Sequence, residues 1–262
     1  MKPFQIQKVV ALSLFLMLVI SPFAQAAKRA FYEIKIYTIS SPEQEQIIDA
    51  YLENAYLPAM HRQGIKNVGV FKPRATTDDA GKKIYVLTPI KSQKQLLTIE
   101  SKLASDATYQ SSGSSYIDAA HDKKPFDRFE TIILRAFSEM PQLDLPKLTG
   151  PKEDRIYELR SYEGPTEELY RKKVEMFNTG GEVKLFKTLN FNAVFYGEVI
   201  TGSHMPNLMY MTTFENQADR DGHWKAFGSS PEWTVLKADP QYANTVSKNT
   251  QYFLYPTEYS DI

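Results

Sequence analysis

A carboxylate, a guanidinium and a phenol alternate along Tyr157-Glu158-Leu159-Arg160-Ser161-Tyr162, and a carboxylate, an ammonium and a phenol along Glu33-Ile34-Lys35-Ile36-Tyr37. Every second side chain of an extended strand points the same way. Glu158, Arg160 and Tyr162 therefore share one face, as do Glu33, Lys35 and Tyr37. Gathered out of water, such groups shift one another's pKa and orient a small ligand. Arg160 would give an acidic or hydroxyl group a planar, permanently charged donor fork. Tyr162, Tyr196 and Tyr210 would add apolar walls with polar tips. Glu158 is a candidate base if burial raises its pKa, although Arg160 pulls the other way. The competing reading is a closed ion network that only pins two sheets in register.

Little else in the chain offers chemistry. There is no cysteine, which removes thiolate catalysis, disulfides, cysteine zinc sites and iron–sulfur clusters. His61, His121, His204 and His223 form no H-x-H or H-E-x-x-H pattern. Asp219 and His223 stand four apart on an expected helix, a weak pair for a metal, so no metal or cofactor is assigned. No phosphate-binding loop, G-x-G-x-x-G or G-x-S-x-G is present. Lysine plus arginine equals aspartate plus glutamate at 31 each, which gives no general reason to bind nucleic acid.

These residues must be held by something, and the chain reads as one unit written twice. Residues 31–37 resemble 156–162 at an offset of 125, and the same offset lays Ile84-Tyr85-Val86-Leu87-Thr88 over Met209-Tyr210-Met211-Thr212-Thr213. Each copy reads β-α-β-β-α-β, over 30–137 and 155–262, and residues 138–154, rich in Pro and Gly, read as a linker. Ser41-Pro42-Glu43-Gln44 is a helix start with a capping box. Pro58 should disturb that helix, and Ser111-Ser112-Gly113-Ser114-Ser115 should be a flexible insert. The expected fold class is α+β: two tandem ferredoxin-like units whose antiparallel sheets face each other in an α+β barrel. On this reading the barrel interior is polar and tyrosine-rich. Glu33, Lys35, Tyr37 and Tyr85 would meet Glu158, Arg160, Tyr162, Tyr196, Glu198 and Tyr210 there.

The run Tyr157-Glu158-Leu159-Arg160-Ser161-Tyr162, with Phe214-Glu215-Asn216, Arg220 and Ser230-Pro231-Glu232-Trp233, resembles the NIPSNAP family across 155–262 and more weakly across 30–137. The resemblance implies a ferredoxin-like domain of the dimeric α+β barrel superfamily, here supplied twice in one chain. That superfamily includes small monooxygenases and haem-degrading enzymes, while for NIPSNAP itself the resemblance implies no settled activity. The chain departs from the family where many relatives carry His and Trp and it has Tyr210 and Thr212, and where Trp224 replaces a second arginine. Three functions stay open: a small-molecule binder using the barrel interior, a non-catalytic interaction protein, and a cofactor-independent or haem-related monooxygenase-like enzyme. A protein partner or homo-oligomer is equally compatible with the pattern.

Residues 1–26 read as an export signal. Lys2 and Lys8 precede an uncharged apolar run, Val9 to Ile20, and Ala24-Gln25-Ala26 is an A-x-A cleavage pattern. The mature chain would start near Ala27, be periplasmic or secreted, and have no membrane segment after cleavage.

Overall fold

The computed structural model describes residues 28–262, so the expected export segment lies outside the described residues. The first half runs β1 (Phe31–Thr38), α1 (Pro42–Tyr51), a π-helical turn (Leu52–Tyr56), α2 (Leu57–Arg62), β2 (Gly69–Pro73), β3 (Lys83–Ile90), α3 (Gln93–Ser105), α4 (Ala107–Ser112), α5 (Ser114–Ile117) and β4 (Arg128–Ala136). The second half runs β5 (Ile156–Glu163), α6 (Glu167–Phe177), α7 (Glu182–Thr188), β6 (Phe195–Thr201), β7 (Asn207–Phe214), α8 (Gln217–Ser229), α9 (Pro231–Ala238), a 3-10 turn (Pro240–Tyr242) and β8 (Lys248–Pro256).

Local sequence explains the helix ends. Ser41 Oγ accepts the Gln44 N–H at 3.3 Å, and Gln44 Oε1 accepts the Ser40 N–H at 2.7 Å. Pro58 does not stop the helix; it lies just after the π-helical turn, which accommodates the missing donor. Gly64, at φ +75°, follows the helix. The serine-rich segment is not a flexible insert. It folds as α4 and α5 because its flanking aromatics pack: Tyr116 stacks on Tyr51 at 3.8 Å, and Gly113 lies so close that a Cβ there would sit 3.1 Å from Ala55 Cβ.

The strands form a closed antiparallel barrel in the order β1-β3-β2-β8-β5-β7-β6-β4. Each half contributes the ferredoxin-like order, β4-β1-β3-β2 and β8-β5-β7-β6. The halves join edge to edge, β2 on β8 (Phe71 opposite Pro256) and β6 on β4 (Gly197 opposite Ala136). Every strand thus has two neighbours, which spares the sheets their exposed edges.

Three apolar layers follow. The barrel interior is one cluster drawn from all eight strands, including Ile34, Phe71, Leu87, Leu134, Leu159, Val199, Met211 and Leu254. Leu143 and Leu148 of the linker and Ile262 at the chain end pack on it. A second cluster lies between the first sheet and its helices, and a third between the second sheet and its helices. Among the described residues no helix is long and apolar enough to cross a membrane.

Candidate functional site

The polar face points outward. Tyr32, Ile34 and Ile36 belong to the interior cluster, so the alternating Glu33, Lys35 and Tyr37 face the helices of the first half. Glu158, Arg160, Tyr162, Tyr196 and Tyr210 likewise lie under the helices of the second half, and Glu198 shares their side of the sheet. Of the side chains expected inside the barrel, Tyr85 alone is there. Register explains why Tyr85 differs from Tyr210. Tyr37 pairs with Ile84 and Tyr162 with Leu208, so β3 aligns on β7 at an offset of 124 while β1 aligns on β5 at 125. A slip of one residue exchanges the faces of a strand. Tyr85 is therefore the counterpart of Met209, and Tyr210 the counterpart of Val86.

Polar side chains tolerate this layer because α8 brings them partners. Asn216 caps α8 through the Asp219 N–H at 3.0 Å, and the helix then lays Arg220 and Trp224 over β5. Glu158, 0% exposed, is the hub. Its Oε1 accepts from Arg160 Nε at 2.7 Å and Arg220 Nη2 at 3.1 Å, and its Oε2 from Arg220 Nε at 2.8 Å and Trp224 Nε1 at 2.9 Å. The Arg160 guanidinium lies 3.6 Å above the Trp224 ring and donates to the Tyr162 hydroxyl, which is 2.9 Å from that of Tyr210. Burial opposes the charge on Arg160, but Tyr210, Tyr162 and Glu158 outweigh it and hold the group more firmly protonated than usual. Burial pushes the Tyr210 phenol well above its ordinary range. Both oxygens of Glu158 and the fork of Arg160 are thus occupied within the protein. The expected ligand fork is a closed network instead.

Arg220 and Trp224 complete that network, and no pattern along β5 announces them. Their spacing of four, one helical turn, was the available signal. Of the other sequence candidates, Asp219 and His223 do meet, with His223 Nδ1 3.3 Å from Asp219 Oδ1. His223 Nδ1 lies 2.8 Å from the Asp219 carbonyl, one turn back on its own helix. Among the described residues no group of three or more His, Asp or Glu could hold a metal ion.

Space for a ligand lies elsewhere, beside the linker. A cleft of about 880 Å³ opens between linker residues 139–148, α7 and the loop 190–193. Met140, Leu145, Leu148 and Ala193 give it accessible apolar surface, over a floor of the buried Val183, Phe186, Phe191 and Tyr196. Asn190 and Asn192, at φ 55° and 49°, shape the loop in the left-handed conformation that asparagine tolerates. Four carboxylates (Glu139, Asp144, Glu215, Asp219) outnumber the two lysines, Lys147 and Lys187, along its walls. Glu215 is held ionised below its usual range by the Thr149 and Gly150 N–H groups, which tie the linker to the cleft wall. Burial pushes the Tyr196 phenol far up, so it is a neutral donor at physiological pH.

Two ferredoxin-like halves closing one eight-stranded barrel define the dimeric α+β barrel class, with both halves here in one chain. Residues 157–261, most of the second half, match the NIPSNAP family model. Solved structures share the architecture. A protein of Lactobacillus acidophilus NCFM named as a monooxygenase aligns over 87% of this chain and 94% of its own, with a TM-score of 0.58 and 11% identity. One from Fusobacterium nucleatum, similarly named, gives 88%, 93%, 0.55 and 8%. An anthrone oxidase-like protein gives 88%, 93%, 0.51 and 10%. At such identities the likeness shows the fold alone. No curated protein matches the chain at a significant level.

Proposed function

We propose that this is a small-molecule-binding protein whose ligand occupies the large cleft of the second half rather than the barrel interior. The observation that carries the reading is the cleft itself: about 880 Å³, within the range of ligand sites, with accessible apolar side chains over a buried aromatic floor and a polar rim. The barrel interior, by contrast, is filled by apolar side chains. The excess of carboxylates selects a neutral or cationic molecule, partly apolar and carrying a hydroxyl or amine donor. Of the acidic or hydroxyl group that Arg160 suggested, this reading keeps the hydroxyl. The names of the solved neighbours, monooxygenase and oxidase-like, agree with a fold that receives small organic molecules. The alternative reading, an interaction protein, would need one broad exposed apolar patch.

The test uses N-phenyl-1-naphthylamine, a neutral fluorescent probe with one N–H donor. It should bind the protein with enhanced emission, and Ala193→Trp, which fills the cleft, should weaken binding at least about tenfold. Equal binding by a folded Ala193→Trp variant would remove the cleft as the site. We propose further that the protein acts after export, its chain starting near Ala27. N-terminal sequencing of exported material that still begins at Met1 would refute this.

A further inference from the structure

The internal repeat gives the large cleft a counterpart. A smaller cleft of about 340 Å³ lies on the other side of the linker, lined by residues 64–67, 89–91, Gln95, Ala30, Gln142 and Leu143. Leu143 and Asn67 line both clefts. Backbone hydrogen bonds fix the correspondence. The Ile65 N–H donates to Met60 O as the Phe191 N–H donates to Phe186 O, an offset of 126. The Lys91 N–H donates to Gln95 Oε1 at 2.8 Å as the Glu215 N–H donates to Asp219 Oδ2 at 3.0 Å, an offset of 124. Position by position, the small cleft then carries Lys91 for Glu215, Gln95 for Asp219 and Lys66 for Asn192. Each exchange moves the charge in the positive direction. Neither Lys66 nor Lys91 forms an ion pair among the described residues, and no carboxylate lines this cleft. Leu143, partly exposed over the buried Ile65 and Ile90, supplies apolar surface beside the two ammonium groups.

We propose that the small cleft is a second binding site, for a small organic anion: a carboxylate or phosphate monoester on a short apolar body. A concave surface with charge of one sign concentrates the opposite ion, and the lysines act as hydrated point charges suited to either anion. The proposal stands on the charge inversion and does not depend on what fills the large cleft.

Calorimetry on the purified protein with benzoate, phenyl phosphate and the neutral isostere benzyl alcohol tests it. Both anions should bind, more weakly at high salt, and benzyl alcohol should not. The double reversal Lys66→Glu/Lys91→Glu, at exposed positions that leave the core untouched, should cost about tenfold in anion affinity. The same variant should leave N-phenyl-1-naphthylamine binding unchanged, and Ala193→Trp should leave anion binding unchanged. Absence of anion binding, equal affinity after the double reversal, or loss of anion binding in Ala193→Trp would each overturn the assignment. Inorganic phosphate binding as tightly as phenyl phosphate would overturn the apolar-body requirement.

Discussion

The two halves place a glutamate at the same point of the same sheet and treat it in opposite ways. In the second half, Glu158 receives two guanidinium groups and an indole N–H. In the first half its counterpart Glu33 has Lys35 at 3.8 Å as its ion-pair partner, and the lysine also lies 5.4 Å from the Phe129 ring. The difference comes from one helix. Caps Ser92 and Asn216 set α3 on α8 at an offset of 124, so Leu96 stands for Arg220 and Glu100 for Trp224. One half closes its carboxylate with cations, and the other places a second carboxylate near it. Burial first, and then Glu100, raise the Glu33 pKa against the pull of Lys35. The same backbone can therefore carry a structural network or a titratable group, depending on two positions one turn apart.

The largest effect should come from breaking the closed network. Glu158→Gln leaves the buried Arg160 charge without its counter-ion, while Arg220 keeps Asp221 at 2.9 Å. Removing one partner of a buried pair costs about 3–5 kcal/mol. Urea unfolding should show that loss as a lower midpoint with little change in slope, since one interior cluster joins all eight strands. A loss below about 1 kcal/mol would mean the network contributes nothing beyond register. Trp224→Phe keeps an aromatic surface near Arg160 but removes the indole donor to Glu158. It should cost about 1.5–3 kcal/mol, the value of a hydrogen bond to a charged group.

How far the sequence reveals this difference depends on which physical signal each feature leaves. Duplication shows as two collinear strand-helix series, and capping residues such as Ser41, Asn216 and Ser230 mark the helix starts, so element order and barrel class are legible. The direction of the faces is not, because both faces of β1, β3, β5 and β7 are largely covered and alternation there loses its usual contrast. Glu158, Arg160 and Tyr162 look like residues needing a wet interior. The opposite face of those strands, with Ile34, Ile36, Leu159 and Met211, is the one that fills a closed barrel. An offset wrong by one in β3 then put Tyr85 and Tyr210 on the same face. The two clefts leave no motif at all. They are made by the linker crossing between loops far apart in sequence, and only the fold brings Asp144 near Asp219, or Gln142 near Lys91.

Glu33→Gln should have a small effect of opposite sign to Glu158→Gln. A carboxyl whose folded pKa is raised binds its proton more tightly folded than unfolded. Its ionisation therefore lowers stability as pH rises from the ordinary glutamate range to the folded value, and the penalty persists above it. The neutral amide avoids this. Glu33→Gln and parent should be equally stable in acid, with the variant ahead by up to about 1 kcal/mol at neutral pH. A clear loss at pH 7 would show that Glu33, like Glu158, is held by partners as an ion.

The smallest effect should be the most specific. Glu100→Gln removes the second carboxylate from the first half without touching the sheet, at an exposed position on α3. If α3 supplies part of the upward pull on Glu33, the Glu33 titration followed by side-chain carboxyl NMR should move down, toward the ordinary range, while its burial keeps it from reaching that range. The shift should shrink in added salt, because the lost term is coulombic and one partner is exposed. An unchanged midpoint would leave burial as the whole cause. The contrast between the halves would then rest on what Arg220 and Trp224 add to one side, with Glu100 contributing nothing to the other.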